Sequence, residues 1–367
     1  MILFDALRRR LRPLVYLTTL SPLPNPKCML FFSTDPESFT ISYLTHSCGF
    51  SPDAALKASR RLRLHSPHKP DAVISFFRSH GFSPSQISRV LTRAPDLITC
   101  NPTLRLLPKF DFLSSKGASP EDIILIVTKS PRILRYSLRN YITPSFHLLR
   151  TFCHSDRKVL SVLLACPNFI GDYRVSSNIN TLQLAGVTPS AIRYLLSTRP
   201  SVLCSDLKNV IQEVNQLGFD PSKVSFTVAL LAKRAISKPL WDAKVDAFKR
   251  WGWSEDEVFA AFKNQPSVML RSMEKLNAVL GFWVGRLGWD HSALVASPTL
   301  FAYSLEKRVI PRALVVQHLM SKGLLKKGAS LVTPFSMLDE AFLQKYVKCF
   351  KEETSTLLEL YRGKGTC

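Results

Sequence analysis

The chain has 367 residues, a formal net charge of +22 and a hydrophobic content of 46%. This hydrophobic content excludes a chain that is disordered throughout, and the length suffices for a large core or a long repeat array. The charge favours a polyanionic partner, either nucleic acid or an anionic membrane surface. A generally basic protein without such a partner is the alternative.

Residues 1–34 contain five basic residues but a single acid, Asp5. Four arginines between residues 8 and 12 interleave with apolar residues, and hydroxyl residues and prolines follow. An amphipathic segment that is poor in acids is typical of an organellar transit peptide, for mitochondria before plastids. The alternative is a basic helix that stays on the mature protein. The apolar stretch 14–20 is too short to span a membrane, so we expect no membrane insertion.

A short phrase with a central proline recurs along the chain. It reads TRAPDLI at 92–98 and TKSPRIL at 128–134. Successive prolines of these phrases are 32–36 residues apart, except for one gap of 66 residues. They are Pro95, Pro131, Pro167, Pro200, Pro266 and Pro298. Arg234 stands where the long gap would place another proline. A period of this length predicts an array of structural repeats.

Each repeat is predicted to begin with a helix of about 11 residues, because an N-cap followed by proline starts a helix. A glycine often precedes such a pair, and the pairs are Ser83-Pro84, Ser119-Pro120, Thr188-Pro189 and Asp220-Pro221. Apolar residues then follow at helical spacing. The predicted buried positions are Ile87, Val90, Leu91 and Ala94; Ile123, Ile126 and Val127; Ile192, Leu195 and Leu196; Val224, Val228 and Leu231; and Val258, Ala261 and Phe262.

The phrase proline ends the first helix, because the residue before a proline avoids the helical region. The apolar pair after the proline predicts a short turn that packs back on the core. A second capping residue follows six residues after the proline: Asn101, Ser137, Asp206, Ser272 or Ser304. There a second helix begins and runs to the next glycine, which ends it in a left-handed conformation. Internal prolines predict bends in three of these helices, at Pro108, Pro144 and Pro311.

One helix pair cannot bury its apolar stripe alone, so the predicted fold is an all-α superhelical solenoid, right- or left-handed. It has roughly eight repeats of 32–36 residues, each consisting of helix, short turn and helix. The predicted domains are a transit peptide at 1–34, the repeat array at 35–320, and C-terminal capping helices with a frayed tail at 321–367. Two repeats depart from the pattern: the one near 153–176 lacks the glycine, and the one near 218–250 lacks the proline.

These features resemble the mitochondrial transcription termination factor (mTERF) family, in particular its plant-type organellar members. The resemblance covers roughly residues 40–350 and is most specific in YSLEKRVIPRALVVQHLMSKGL at 303–324. It implies an α-solenoid of triangular helical repeats and the binding of organellar DNA or RNA. The transit-like N-terminus agrees with an organellar location, mitochondrion before chloroplast.

Basic residues recur in the first turn of the second helices, where a cation is locally unfavourable. A phosphate held by the cation and by the amide groups of the helix start would compensate for this. The predicted nucleic-acid-binding residues are Arg105, Arg139, Lys208, Lys275, Lys307 and Arg308, with Arg312 in the same segment. A solvated basic face is the alternative. A second set receives less weight because the helix dipole already explains cations at the ends of first helices: Arg93, Lys129, Arg199, Lys233 and Lys263.

No cluster of nucleophile, base and orienting group appears, and no two of the eight cysteines are spaced as CxxC. We therefore expect neither an enzyme nor a metal or cofactor site, and free thiols in a reducing compartment. The expected function is that of a monomer that binds organellar DNA or RNA along a basic concave face. It would regulate transcription, including termination, or RNA processing. The alternatives are an RNA-only factor for intron splicing or rRNA maturation, and a protein scaffold without nucleic-acid binding.

Overall fold

The computed structural model describes residues 35–325 and 328–362. All regular elements within these residues are helical, which confirms the all-α prediction. The predicted transit peptide at 1–34 lies outside the described residues, as does most of the predicted frayed tail. Among the described helices, none combines the length and the apolar character that crossing a bilayer requires.

The chain divides into two compact units, with the boundary between Leu107 and Pro108. The helices of the first unit are α1 (Pro36–His46), α2 (Pro52–Ser59), α3 (His68–Ser79), α4 (Pro84–Arg93) and α5 (Pro102–Arg105). Helix α1 packs on α2, and α3 packs on the short turn that follows α4. The core of this unit includes the fully buried side chains of Leu44, Val73 and Phe77.

The second unit contains the remaining helices, in which the pairs of the repeat array are evident. They are α6 (Leu107–Ser115), α7 (Pro120–Lys129), α8 (Thr143–Cys153), α9 (Asp156–Ala165), α10 (Tyr173–Leu184), α11 (Pro189–Thr198), α12 (Lys208–Gln216), α13 (Val224–Ala235), α14 (Lys238–Arg250), α15 (Glu255–Asn264), α16 (Met273–Leu280), α17 (Ser292–Ala296), α18 (Ile310–Ser321), α19 (Thr333–Ser336), α20 (Asp339–Leu343) and α21 (Thr354–Tyr361). First helices of successive repeats pack on one another, as α9 does on α7 and on α11. Second helices do the same, as α10 on α12 and α14 on α16. This packing confirms the predicted helical-repeat solenoid.

A proline starts each of the short turns, which are 3₁₀ helices. They are Pro95–Thr99, Pro131–Arg135, Pro167–Phe169, Pro200–Cys204, Pro266–Leu270 and Pro298–Ala302. Each preceding first helix ends two residues before the proline. Ser130, for example, has a φ of −139° and a ψ of 80°, outside the helical region, because the ring of Pro131 would clash with a helical residue before it. The prediction that proline fixes the end of the first helix is confirmed.

Changes of helical winding accompany the internal prolines of the second helices. A π-helical segment, Leu138–Ile142, precedes Pro144, and another, Leu305–Val309, precedes Pro311. Pro108 follows a break between α5 and α6. Proline lacks an N–H and its ring needs room in the preceding turn, so the wider turn accommodates it. Two further π-helical segments, Gly281–Arg286 and Gln344–Lys348, are not followed by a proline.

His154 replaces the glycine in the repeat that lacks one. Its φ of 62° is left-handed, and among the described residues it is the one non-glycine with a positive φ. Helix α8 ends at Cys153, and the side chain of Ser155 caps α9. This repeat therefore keeps a left-handed helix end without a glycine. A repeat with the usual glycine has the same conformation at Gly117, where φ is 88°.

The start predicted for α13 at Asp220-Pro221 is wrong. The Asp220 carboxylate accepts hydrogen bonds from the Ser222 N–H at 2.9 Å and from the Ser222 hydroxyl at 2.7 Å, which closes a separate turn. The helix begins three residues later, at Val224, and its buried face also differs from the predicted one. Val224 is 48% exposed and Val228 is half-buried. The buried apolar side chains of α13 are Phe226, Ala229, Leu230, Leu231 and Ala232.

Helices α19 to α21, which we call the C-terminal segment, pack on α18. Val315 and Leu319 of α18 form a buried cluster with Phe342 and Val347, to which Leu357 of α21 adds. This contact covers the apolar face of the last full repeat among the described residues, as a terminal helix of a repeat array must.

Candidate nucleic-acid interface

Lys244 of α14 binds the carbonyl end of the 3₁₀ turn in the next repeat. Its Nζ donates to the carbonyl oxygens of Met269 and Arg271, each at 2.5 Å, and its side chain is buried. A helical turn leaves its last carbonyls without backbone partners, and the ammonium satisfies them. Burial lowers the pKa of Lys244.

The same contact recurs in other repeats with other donors. Lys109 Nζ donates to the carbonyl oxygen of Leu134 at 2.9 Å. Asn178 Nδ2 donates to the carbonyl oxygens of Leu203 at 2.9 Å and Ser205 at 2.6 Å. Each bond joins residues 25 or 27 positions apart, which is the distance from a second helix to the following turn. We call these side chains turn-binding donors; they tie each repeat to its successor.

Two residues of the predicted phosphate-binding set, Lys275 and Arg308, are turn-binding donors. Lys275 Nζ donates to the carbonyl oxygen of Tyr303 at 2.5 Å. Arg308 donates from Nε to Phe335 at 2.9 Å and from Nη2 to Met337 at 2.5 Å. Carbonyl oxygens of the next repeat for Lys275, and of α19 and its end for Arg308, thus compensate the cation at the helix start, where the sequence predicts a phosphate.

Arg312 of α18 requires a correction, because its side chain is 0% exposed. It donates to the carbonyl oxygens of Pro334 at 2.6 Å and Met337 at 2.8 Å, and to the carboxylate of Asp339. Its guanidinium also lies 4.7 Å from the ring centroid of Phe342. A side chain with no accessible surface offers nothing to a phosphate, so Arg312 holds the C-terminal segment instead.

The other four predicted residues keep solvent-accessible side chains. Arg105, in the first unit, lies 3.6 Å from the carboxylate of Asp96. Arg139, Lys208 and Lys307 are exposed near the starts of their helical segments. These three remain candidates for phosphate contact.

A cleft of about 270 Å³ opens beside the 3₁₀ turns Pro131–Arg135 and Pro167–Phe169. Arg132 and Arg174 line it, together with Cys204 of the next turn. Asp172 also lines this cleft, and Arg174 donates to its two carboxylate oxygens at 2.9 and 2.6 Å. This pairing lowers the pKa of Asp172, and the charge of Arg132 in the same cleft lowers it further.

Two further clefts are lined by residues of the following repeats. A cleft of about 220 Å³ is lined by Arg199, Ser205 and Arg234. Another of about 530 Å³ is lined by Lys233 and, again, Arg234. The first and second clefts are lined by the chain neighbours Cys204 and Ser205, and the second and third share Arg234. We call the three clefts together the turn groove; its basic residues are Arg132, Arg174, Arg199, Lys233 and Arg234.

The cations of the turn groove differ in how far their charge is compensated. Lys233 lies 2.8 Å from the Glu213 carboxylate and 4.0 Å from the ring centroid of Trp241, with a side chain only 18% exposed. Arg234 instead donates from Nε to the neutral hydroxyl of Ser205 at 3.0 Å and is exposed. Arg132 and Arg199 are also exposed. The charge available to a polyanion is therefore that of Arg132, Arg199 and Arg234.

The repeats and their proline turns agree with a comparison to known families. The mTERF family model matches residues 74–234 and 235–343, which is most of the chain. The chain belongs to the mTERF family. It is also similar to the transcription termination factor MTERF15, mitochondrial, of Arabidopsis thaliana, with 21% identity over 271 residues. That similarity covers 74% of this chain and 53% of the relative, so it spans about half the relative's length.

In this mTERF protein, sequence reasoning missed three residues of the turn groove: Arg132, Arg174 and Arg234. Arg234 did carry a signal, since it occupies the place of the missing proline; without proline, α13 continues to Ala235 and carries Arg234 to the groove. Arg199 and Lys233 belong to the set that the dipole argument gave less weight. The helix dipole accounts for a cation at a helix end but not for what the cation faces.

Proposed function

We propose that this mTERF protein binds organellar nucleic acid, DNA or RNA, along the turn groove. Through this binding it regulates transcription, including termination, or RNA processing of organellar genes. The observation that carries the proposal is the set of exposed guanidinium groups of Arg132, Arg199 and Arg234 in the clefts of the turn groove. The net charge of +22 supports it, because phosphate neutralisation supplies most non-specific affinity for nucleic acid.

The groove suits a phosphate backbone more than a single small anion. Its cations come from successive repeats, so phosphates along one strand can each meet a different turn. Guanidinium groups donate two parallel hydrogen bonds to a phosphate. Arg139, Lys208 and Lys307 at the starts of second helices would add contacts beyond the groove. Such contacts position the nucleic acid without reading its sequence.

Transcription is the preferred process because the Arabidopsis relative is named as a transcription termination factor. An RNA-only role in splicing or rRNA maturation is a distinct outcome. Ultraviolet crosslinking of the tagged protein in its organelle, followed by sequencing of both DNA and RNA, separates these functions. We expect a small number of enriched loci. Enrichment in RNA alone would replace the transcriptional proposal, and enrichment in neither would favour a protein scaffold.

For the location, we propose the mitochondrion, with the chloroplast as the alternative. The support is the arginine-rich, acid-poor composition of residues 1–34 and the mitochondrial name of the relative. A fluorescent reporter fused after residue 34 should enter mitochondria. A diffuse cytosolic signal would contradict the targeting proposal, and plastid import would change only the organelle.

A further inference from the structure

Two cysteines from consecutive repeats face each other beside the turn groove. Cys166 Sγ lies 3.9 Å from Cys204 Sγ, although the residues are 38 positions apart. Cys166 is the residue before Pro167, and Cys204 ends the turn Pro200–Cys204. The fold therefore brings together two thiols that no sequence spacing relates.

The residue before a turn proline makes the corresponding contact one repeat earlier. There the Ser130 hydroxyl donates to Asn168 Oδ1 at 2.6 Å, again across 38 positions. This position thus joins one turn to the next by a side-chain contact. In the following repeat the residue before the proline, Cys166, instead contacts Cys204 at the end of the next turn, and these two groups can form a covalent bond.

We propose that Cys166 and Cys204 are a redox-active dithiol, which hydrogen peroxide converts to a disulfide between adjacent turns. The Cys166 thiolate attacks one peroxide oxygen, giving a sulfenic acid and hydroxide, which takes up a proton to become water. The Cys204 sulfur then attacks the sulfenic sulfur; the S–O bond breaks, and the hydroxyl leaves as a second water with the Cys204 proton. Two electrons pass from the sulfur pair to the peroxide.

The environment of the two thiols suits these separate roles. The sulfur–sulfur hydrogen bond with Cys204, supported by the backbone N–H groups of Phe169 and Asn168, lowers the pKa of Cys166 to about 7. The same hydrogen bond and burial raise the pKa of Cys204. Because the backbone N–H groups of Phe169 and Asn168 favour a thiolate at Cys166, we assign Cys166 as the attacking thiolate and Cys204 as the resolving thiol.

Access and geometry also permit the reaction. Cys204 lines the cleft of about 270 Å³ in the turn groove, which exceeds the roughly 30 Å³ that one water molecule, similar in size to peroxide, occupies in the liquid. Cys166 is buried directly behind it. The sulfurs must approach by almost 2 Å to reach a disulfide bond length of about 2.05 Å, which side-chain rotation and a small shift of the turns can supply.

The disulfide would draw two turns together, and basic residues of the turn groove lie next to these turns. Arg132 and Arg174 line the same cleft as Cys204, and Arg199 precedes the turn that Cys204 ends. We expect oxidation to change nucleic-acid affinity at least threefold. This consequence rests on the proposed function, whereas formation of the disulfide does not.

The test uses the full chain, reduced and then treated with graded hydrogen peroxide before alkylation and digestion. We expect a peptide pair linked through Cys166 and Cys204, lost on treatment with dithiothreitol. Cys153 is the internal control: it is buried like Cys166, but its pKa is raised, whereas that of Cys166 is lowered. Cys166 should oxidise at least tenfold faster than Cys153. Oxidation of both at equal rates, or a linked pair that omits either proposed cysteine, would overturn the site.

Two variants check the order of attack. In Cys204→Ser the sulfenic acid at Cys166 should persist and react with dimedone, whereas in Cys166→Ser no dimedone adduct should form at Cys204. The wild-type peptide map stands even if either variant folds poorly. Affinity for a DNA duplex and a single-stranded RNA is then compared before and after oxidation. A disulfide without a change in affinity would overturn the regulatory consequence alone, and no binding in either state would contradict the proposed function alone.

Discussion

The ammonium of Lys275 donates to the carbonyl oxygen of Tyr303, 28 residues further along the chain, at 2.5 Å. The cation thus sits at the start of one helix because it binds the end of the turn in the next repeat. Lys208 occupies a similar place at the start of α12 but is exposed. The two lysines follow the same sequence pattern and perform different tasks.

Lys275→Ala should therefore destabilise the protein. We expect a loss of about 1 kcal/mol in the free energy of unfolding, since a charge-assisted hydrogen bond between repeats is removed. Relief of an unfavourable cation at a helix start offsets only a few tenths of a kcal/mol. Urea denaturation measures the change, and Lys208→Ala is the matched control with an expected change near zero. Equal effects of the two substitutions would contradict the assignment of Lys275 as a turn-binding donor.

Lys244→Met should cost more, because both carbonyl oxygens that Lys244 binds are left without a donor. We expect a loss on the order of 2 kcal/mol, reduced somewhat because a buried charge is also removed. The control is Lys249→Met in the same helix, where the lysine is 43% exposed and pairs with Glu255 at 2.8 Å. A surface pair of this kind contributes little. A Lys244→Met protein as stable as the Lys249→Met protein would contradict the structural role of Lys244.

The register of α7 can be tested by one substitution on each of its faces. Ile123 is 4% exposed and Leu125 is 43% exposed. Ile123→Asp would bury an unpaired charge, which should cost more than about 3 kcal/mol and unfold the neighbouring repeats. Leu125→Asp should leave the melting temperature within a few degrees. A soluble Ile123→Asp protein that melts cooperatively at the wild-type temperature would refute the register.

The features that the sequence predicts well are those decided within a few residues. Ser119 caps α7 with its side chain, and Pro131 fixes where that helix ends, because both effects act on the adjoining backbone. The start of α13 is the exception, because the Asp220 carboxylate can either cap a helix or close a turn. Its side chain closes a turn with Ser222, and capping and turn formation use the same carboxylate.

The features that the sequence did not predict depend on contacts between repeats. Arg312 looks like a surface cation in the sequence, yet it is buried against Pro334 and Met337. Similarly, nothing local relates Cys166 to Cys204. The distance between such residues follows from how one repeat stacks on the next, which the period of the sequence does not specify.

Asp339 should give the C-terminal segment a dependence on acid pH. The hydrogen bond from Arg312 lowers the pKa of this carboxyl below its ordinary value of 3.8. A carboxyl with a lowered pKa stabilises the folded state above its unfolded pKa, and the stabilisation is lost as the pH falls through the folded pKa. Asp339→Asn removes this dependence while Arg312 keeps its carbonyl partners. Urea midpoints of the two proteins should differ at pH 5 and converge as the pH falls below about 3.8. A constant difference would contradict the ion pair's role.

Nucleic-acid binding through the turn groove is tested most directly by the salt dependence of affinity. The variant to measure is Arg132→Ala with Arg199→Ala and Arg234→Ala. The matched control removes three exposed cations near the starts of first helices, with Arg157→Ala, Lys158→Ala and Lys223→Ala. The ten residues of α9 place Arg157 about 15 Å from the turn that follows it.

Each lost phosphate contact lowers the slope of log affinity against log salt by about 0.9 on duplex DNA and about 0.7 on single strands. The groove variant should therefore bind all sequences more weakly, with a slope shallower than that of the wild type by about 2 to 3, and should melt at the wild-type temperature. The control should keep both the affinity and the slope. If the groove variant retains the wild-type slope, or if both triple variants lose it equally, the turn groove is not where this protein binds nucleic acid.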